Sequence, residues 1–219
     1  MNDGGQGVLG QVDFATADPP PPPARPAGRE ADSRVANPLL FLRSWLANPL
    51  RMGSVIPSSD ALCRRVVRQG WPEPGRAVLE LGTGTGVLAR AFIAAGLSPE
   101  RLILVEIDTR LTAHLREQFP AATVIEGDAR ELPSLLPERW QGRIGSVVCG
   151  IPLVLLPEAE QRRFIDAMTE VAPGRGFLHY SYCVTSPLPY RKHGLTARRE
   201  AWTPLNLPPA SVWRYQPER

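Results

Sequence analysis

The stretch Val78-Leu79-Glu80-Leu81-Gly82-Thr83-Gly84-Thr85-Gly86-Val87-Leu88 constrains this chain more than any other. Apolar residues of strand length precede three alternating glycines, and an apolar segment of helix length follows them and ends at Gly96. The pattern predicts a buried strand over 77–81, a tight turn, and a helix over 87–95. A turn packed this closely against a ligand needs residues without Cβ, and it directs backbone N–H groups and a helix N-terminus at whatever binds there. The dinucleotide fingerprint G-x-G-x-x-G would place its third glycine at 87, which is Val87, so a nicotinamide dinucleotide is disfavoured. The pattern is instead E-x-G-x-G-x-G. A plain strand-turn-helix, with glycines serving only packing, is the alternative that the next strands must exclude.

Those strands carry acids at the right places. Arg101-Leu102-Ile103-Leu104-Val105-Glu106 is an apolar run ending in a carboxylate about 20 residues past the glycines, where doubly wound folds hold ribose hydroxyls. Glu106 is therefore the expected ribose ligand. Asp108, the rival acid, precedes the helical segment 109–115 and reads as its N-cap. A third strand over 122–126 leads into Gly127-Asp128-Ala129. Together these elements resemble the class I S-adenosylmethionine-dependent methyltransferases. The resemblance implies an α/β Rossmann-like fold, a seven-stranded mostly parallel sheet with a terminal antiparallel hairpin. It implies S-adenosylmethionine as cofactor, S-adenosylhomocysteine as product, and no metal. It assigns Glu80 to the methionine end, Asp128 to the adenine amino group and the Ala129 backbone to the ring. Gly82, Thr83, Gly84, Thr85, Gly86, Ile107, Gly127, Cys149 and Gly150 complete the expected cofactor surroundings.

The 219 residues suit one domain with a sizeable core, plus a tail. We divide them into a Pro/Gly-rich tail over 1–33, a helical segment over 34–70 and the main domain over 71–219. The run of five prolines from Pro19 belongs to the tail, where no core is expected. No apolar run approaches the roughly 20 residues of a transmembrane helix, and no basic start with an apolar block opens the chain. A cytoplasmic location is expected. Cys63, Cys149 and Cys183 sit in apolar segments without metal-ligand spacing and read as reduced, buried thiols.

Asn37-Pro38-Leu39-Leu40-Phe41-Leu42-Arg43-Ser44-Trp45-Leu46 reads as a helix opened by Pro38, with its next breaker at Pro49. Leu39, Phe41, Leu42, Trp45 and Leu46, with Arg43 beside them, give a surface too apolar to stay in water. It either packs on the domain or lies in a bilayer interface, and a mobile lid would do both. The loop over 53–60 caps a helix over 61–69 that stops at Gly70. Ser58 and Ser59 serve that cap or reach the cofactor's carboxylate.

A fourth strand over 144–149 ends in Gly150-Ile151-Pro152-Leu153. Enzymes that methylate base amines carry an amide and an aromatic residue at this strand end. Here Gly150 replaces the amide and no aromatic follows Pro152, so a flipped base would lose its hydrogen bond and its stacking partner. Nucleic acid is not an expected partner. A helix over 157–171, a strand over 176–184 and a hairpin of 195–202 with 211–216, joined through Asn206-Leu207-Pro208-Pro209, complete the sheet.

Beyond the glycine motif, the segments 41–46, 48–50 and 53–59, Gly150-Ile151-Pro152-Leu153, Tyr180-Ser181-Tyr182 and 206–213 together resemble the bacterial phospholipid N-methyltransferases. That resemblance runs from about residue 38 to the end. It implies stepwise methylation of the amine of phosphatidylethanolamine towards phosphatidylcholine by a monomer, peripheral at an anionic membrane on its cytoplasmic face. Val154-Leu155-Leu156 departs from the polar or aromatic residues usual after Gly-x-Pro-Leu, which leaves the headgroup preference open. Tyr182, and second Tyr180, are the expected residues to orient the amine; by period-2 alternation they share one strand face. Ile151 and Pro152 would line the substrate side, and Arg191, Lys192 and His193 would hold the lipid phosphate. An rRNA adenine- or protein-directed methyltransferase, or a non-catalytic membrane-binding module, are the competing readings.

Overall fold

A computed structural model describes residues 60–181, 186–204 and 209–218. The expected helix over 37–48, Ser58, Ser59, Tyr182, Cys183 and the Asn206–Pro208 part of the hairpin connection lie outside the described residues.

In chain order the described elements are α1 (Asp60–Gln69), β1 (Ala77–Leu81), α2 (Val87–Ala94), β2 (Leu102–Glu106), α3 (Thr109–Gln118), β3 (Thr123–Glu126), the one-turn α4 (Leu132–Leu135), β4 (Ile144–Cys149), α5 (Glu158–Val171), β5 (Phe177–Ser181), β6 (Leu195–Thr203) and β7 (Ala210–Pro217). The sheet has seven strands in the order β3-β2-β1-β4-β5-β7-β6. The first five of these pair in parallel, while β7 runs antiparallel to both β5 and β6. This is the architecture expected from the sequence.

Parallel strands covered on both faces must be apolar throughout. Accordingly β1 and β2 are buried at every position. One face packs Ala77, Leu79, Leu81, Ile103 and Val105 against Phe164, Ile165 and Met168 of α5. The other packs Val78, Leu102 and Leu104 against Leu62 and Val66 of α1 and Leu88 and Phe92 of α2. A fully buried Leu or Phe stabilises by roughly 1.5–3 kcal/mol, so the two layers fix the level at which each strand ends. With β1, β2, β3 and β4 in parallel register, Gly82, Ile107, Gly127 and Gly150 follow the strand ends side by side. The order of the strands reverses at β1 and β4, the place where doubly wound sheets bind ligands.

Candidate active site

The glycine turn takes the shape its sequence demands. Gly82, Gly84 and Gly86 have φ of 69°, 60° and 77°, in the left-handed region that residues with Cβ avoid. The turn's N–H groups, expected to face a ligand, are largely used within the fold. Gly82 and Thr83 donate to the Val105 carbonyl at 2.9 and 3.4 Å, and Gly86 donates to Thr83 at 3.1 Å. Gly84 donates to Glu106 Oε2 at 2.8 Å. The physical reason is proximity: the β1–β2 register brings the turn against the end of β2, whose carbonyl and carboxylate lie closer than the cleft does.

Glu106 closes β2 with its carboxylate nearly inaccessible, at 1% exposure. Besides Gly84, it accepts from the Ile107 and Asp108 N–H groups at 2.9 and 3.1 Å. Burial raises its pKa, and these three N–H groups oppose that shift. A carboxylate has about four lone-pair sites, so three donors leave room for a ribose hydroxyl. Asp108 caps α3, accepting from Arg110 and Leu111 N–H at 2.9 and 3.0 Å, as its sequence position predicts.

Asp128 is less available than its adenine role implies. Arg130 donates to it from its backbone N–H at 2.9 Å, from Nε at 3.0 and 3.1 Å and from Nη2 at 2.5 Å. Burial pushes the Asp128 carboxyl up, but these bonds and the Arg130 charge outweigh it and hold the group below its ordinary range. The same guanidinium bonds Glu160 at the start of α5 and lies 5.6 Å from the centroid of Phe164. Gly82, Glu106, Ile107, Gly127, Asp128, Ala129, Gly150, Ile151, Pro152 and Phe164 line one cleft; seven of the expected cofactor residues meet there, whereas Glu80, Thr83, Gly84, Thr85, Gly86 and Cys149 do not line it. Sequence reasoning missed Arg130, Glu160 and Phe164. Arg130 stands two residues from Asp128, but nothing local announces a partner 30 residues on.

In β1, two residues before the first glycine of the turn, Glu80 is 2% exposed and its Oε2 has no hydrogen-bond partner. Burial, and next the charge of Glu106, push its pKa up to about 8 against a smaller opposing effect of Arg90. A buried acid without a donor is an uncommon and costly arrangement. An ammonium group, such as that of a bound amino acid moiety, is the partner it lacks.

Tyr180 reaches the end of β4. A Cβ on residue 150 would stand 2.6 Å from the Tyr180 hydroxyl, and 3.0 and 3.3 Å from the Gly82 and Leu81 carbonyls. Gly150 is therefore favoured by space, and the tyrosine hydroxyl lies where a side chain at residue 150 would begin. Next to it, His179 is buried, with Nδ1 3.0 Å from the Cys149 carbonyl. A carbonyl only accepts, so Nδ1 carries the proton. Burial depresses the pKa of this histidine to about 4, which makes it a neutral and weak base at pH 7. Cys149 and Cys63 are buried thiols, pushed by burial to about 12 and 11 respectively.

The three residues expected to hold a phosphate are split. Lys192 Nζ pairs with Glu158 at 2.9 Å. His193 is buried, its Nε2 3.0 Å from Gln161 Oε1, and it does not face solvent. Arg191 is exposed, its guanidinium 5.8 Å from the Tyr190 ring centroid. It borders an open groove of about 680 Å³, lined also by Leu188, Ala197, Arg199 and Trp213. The one-turn connection to β6 explains the split, because successive residues in a short helical turn point in different directions.

A doubly wound sheet with a glycine turn, two acids at successive strand ends and an orphaned buried carboxylate defines a site for an amino-acid-bearing nucleoside. Comparison with known proteins agrees. A family model described as a methyltransferase domain matches residues 78–176. The ornithine lipid N-methyltransferase of Singulisphaera acidiphila is 32% identical over 181 residues, covering 80% of this chain and 93% of that protein. The ribosomal RNA small subunit methyltransferase A of Chlorobium phaeobacteroides is 32% identical over 127 residues, covering 57% of this chain but only 46% of that protein. The crystal structure of precorrin-6y C5,15-methyltransferase from Geobacter metallireducens superposes with a TM-score of 0.52 at 15% identity, covering 71% of this chain and 88% of that one, a likeness of fold alone. The chain belongs to the class I S-adenosylmethionine-dependent methyltransferases. Its cofactor is S-adenosylmethionine; among the described residues no cluster of His, Cys, Asp or Glu could hold a metal ion.

Proposed function

We propose that this chain methylates the amine of phosphatidylethanolamine, stepwise towards phosphatidylcholine, as a peripheral protein at the cytoplasmic membrane face. The observation that carries a lipid amine is the likeness to the ornithine lipid N-methyltransferase along 93% of that protein's length. Phosphatidylethanolamine rather than an ornithine lipid is favoured by the motif resemblance described above. The Gly150–Tyr180 arrangement supports an alkyl amine over a base amine. An exocyclic base amine is poorly nucleophilic and needs a side-chain amide, for which the hydroxyl at Gly150 leaves little space.

When bound, S-adenosylmethionine supplies an electrophilic methyl group on sulfur. The chain's own residues provide alignment and a suitable protonation state. Glu106 and the Ala129 backbone fix the nucleoside, and Glu80 takes up the amino acid's ammonium. The attacking amine must be neutral, although an alkylammonium has a pKa near about 10.4, so the site must favour proton loss. His179, at about 4, is too weak a base to capture that proton at pH 7. The Tyr180 hydroxyl accepts from the neutral amine and orients it, and the released proton leaves to water. Holding the two groups in line provides most of the rate.

Labelled S-adenosylmethionine incubated with vesicles of phosphatidylethanolamine, vesicles of ornithine lipid, RNA and protein tests the proposal. Label in phosphatidylethanolamine supports it, label only in ornithine lipid moves the substrate, and label only in RNA or protein overturns it. Flotation with neutral and anionic vesicles, with and without salt, tests the membrane part. Apolar burial and about 1 kcal/mol per basic residue near an anionic surface should add.

A further inference from the structure

Beside the cleft, on the α5 side of the hairpin, the segment leading from Ser186 to Lys192 and the strands β6 and β7 enclose the open groove of about 680 Å³. Its volume lies within the roughly 300–1,000 Å³ of ligand pockets. Leu188, Ala197, Tyr190 and Trp213 make an apolar and aromatic floor. Two guanidinium groups lie across that floor, Arg191 over the ring of Tyr190 and Arg199 5.9 Å from the centroid of Trp213. Among the described residues no acid lines the groove, and Lys192 pairs with Glu158 outside it. Trp213 has a buried indole N–H with no acceptor. Ser186 fastens the segment, donating to the Leu188 carbonyl at 3.1 Å and standing 2.9 Å from the Tyr215 hydroxyl. An apolar floor crossed by two cations complements an amphiphile with one anionic group.

We propose that this groove binds the lipid substrate, its anionic group between Arg191 and Arg199 and its chain along Trp213, Leu188 and Ala197. This rests on the lipid reading above and goes beyond it. Arg199 and Trp213 take the places expected for Lys192 and His193, which the fold has turned to Glu158 and Gln161. The register permits it. Trp213 lies level with His179, and His179 with Cys149. The groove wall is therefore two strand spacings, about 10 Å, from the strand that ends at Gly150. A lipid headgroup and an arginine side chain together bridge that span.

The test is calorimetric titration of the full chain with decyl phosphate below its micelle concentration, with decyl maltoside as the uncharged control of equal chain length. The parent should bind decyl phosphate at least tenfold more tightly than decyl maltoside. R191Q/R199Q should lose that preference, and Lys192→Gln should keep it. Trp213→Ala should weaken both probes. A double variant with the parent's preference, or a parent that binds neither probe, overturns the proposal. With phosphatidylethanolamine vesicles, R191Q/R199Q should raise KM while leaving kcat and S-adenosylmethionine affinity unchanged. A parent that methylates no lipid but shows the charge-dependent probe binding would fail the functional reading alone, so the two failures are told apart.

Discussion

On one side of β4, strands β1 and β2 are buried at every residue, and their polar groups are confined to the strand ends. On the other side β6 mixes buried and exposed positions, leaving Trp202 47% exposed, and Arg198 and Arg214 both bond Glu200. The first half builds its expected cofactor groups from residues close in sequence, Glu106 with Ile107 and Asp108, Asp128 with Arg130. The second half assembles its features from segments far apart in sequence, such as Arg191 with Arg199 and Trp213. A cofactor common to a whole class can be held by local, repeated devices, whereas the substrate side is built anew by tertiary packing.

Glu106→Ala should have the largest effect, since it removes the local device that ties the turn to β2. Three backbone N–H groups lose their acceptor, at about 1.5–3 kcal/mol for each charge-assisted bond. S-adenosylmethionine binding should become undetectable by calorimetry and the thermal midpoint should fall. A variant that binds like the parent would mean the cofactor half is not organised around Glu106.

Arg130→Gln comes next. It leaves the Asp128 and Glu160 carboxylates side by side without their shared cation, in a site where Arg130 is 8% exposed. Breaking such a pair from one side costs about 3 kcal/mol at the low end. Chemical denaturation should show that loss at pH 7, and less of it in acid, where Asp128 without the Arg130 charge takes up a proton. An unchanged midpoint would show that the cluster is ornamental and that Asp128 is positioned by its backbone alone.

Gly150→Ala probes the junction of the halves. The new methyl would meet the Tyr180 hydroxyl at 2.6 Å, nearer than the Gly82 and Leu81 carbonyls at 3.0 and 3.3 Å. We expect a stability loss of about 1–3 kcal/mol, typical of overpacking, and a larger loss of turnover than of cofactor affinity. Tyr180→Phe should restore much of the stability of the alanine variant but not its turnover. If the double variant recovers both, the hydroxyl takes no part in orienting the amine.

The same contrast explains what could be read in the sequence. All seven strands and the N-cap at Asp108 were legible, because buried apolar runs and glycine and acid punctuation are local signals. The use of the turn's N–H groups by Val105 and Glu106 was not, since it depends on the β1–β2 register. Nor were the Arg130 cluster and the fates of Lys192 and His193, whose partners lie about 30 residues away on α5. Gly150 read as an absent amide; only the fold shows a hydroxyl from β5 beside it.

The effect at Glu80 vanishes near pH 4.5 and grows only as pH rises, and its sign separates the orphaned acid from the satisfied one at Glu106. In the unfolded chain Glu80 titrates near 4.5, and in the fold near 8. The folded state therefore keeps a proton that the unfolded state releases. The stability this confers is complete below pH 4.5 and declines as pH rises to 8, with a slope of at most about 1.4 kcal/mol per pH unit. Glu80→Gln cannot ionise. It should match the parent near pH 4.5 and become the more stable of the two by pH 8, measured by denaturant unfolding across that range. Cofactor binding should run the other way. If Glu80 receives the ammonium of S-adenosylmethionine as a carboxylate, the parent must release its proton on binding below pH 8. Its affinity should then rise with pH and its binding heat should vary with the ionisation enthalpy of the buffer. Glu80→Gln should bind more weakly, with neither dependence. A parent whose binding heat is the same in every buffer would mean that Glu80 stays protonated, supporting the turn without meeting the ligand's charge.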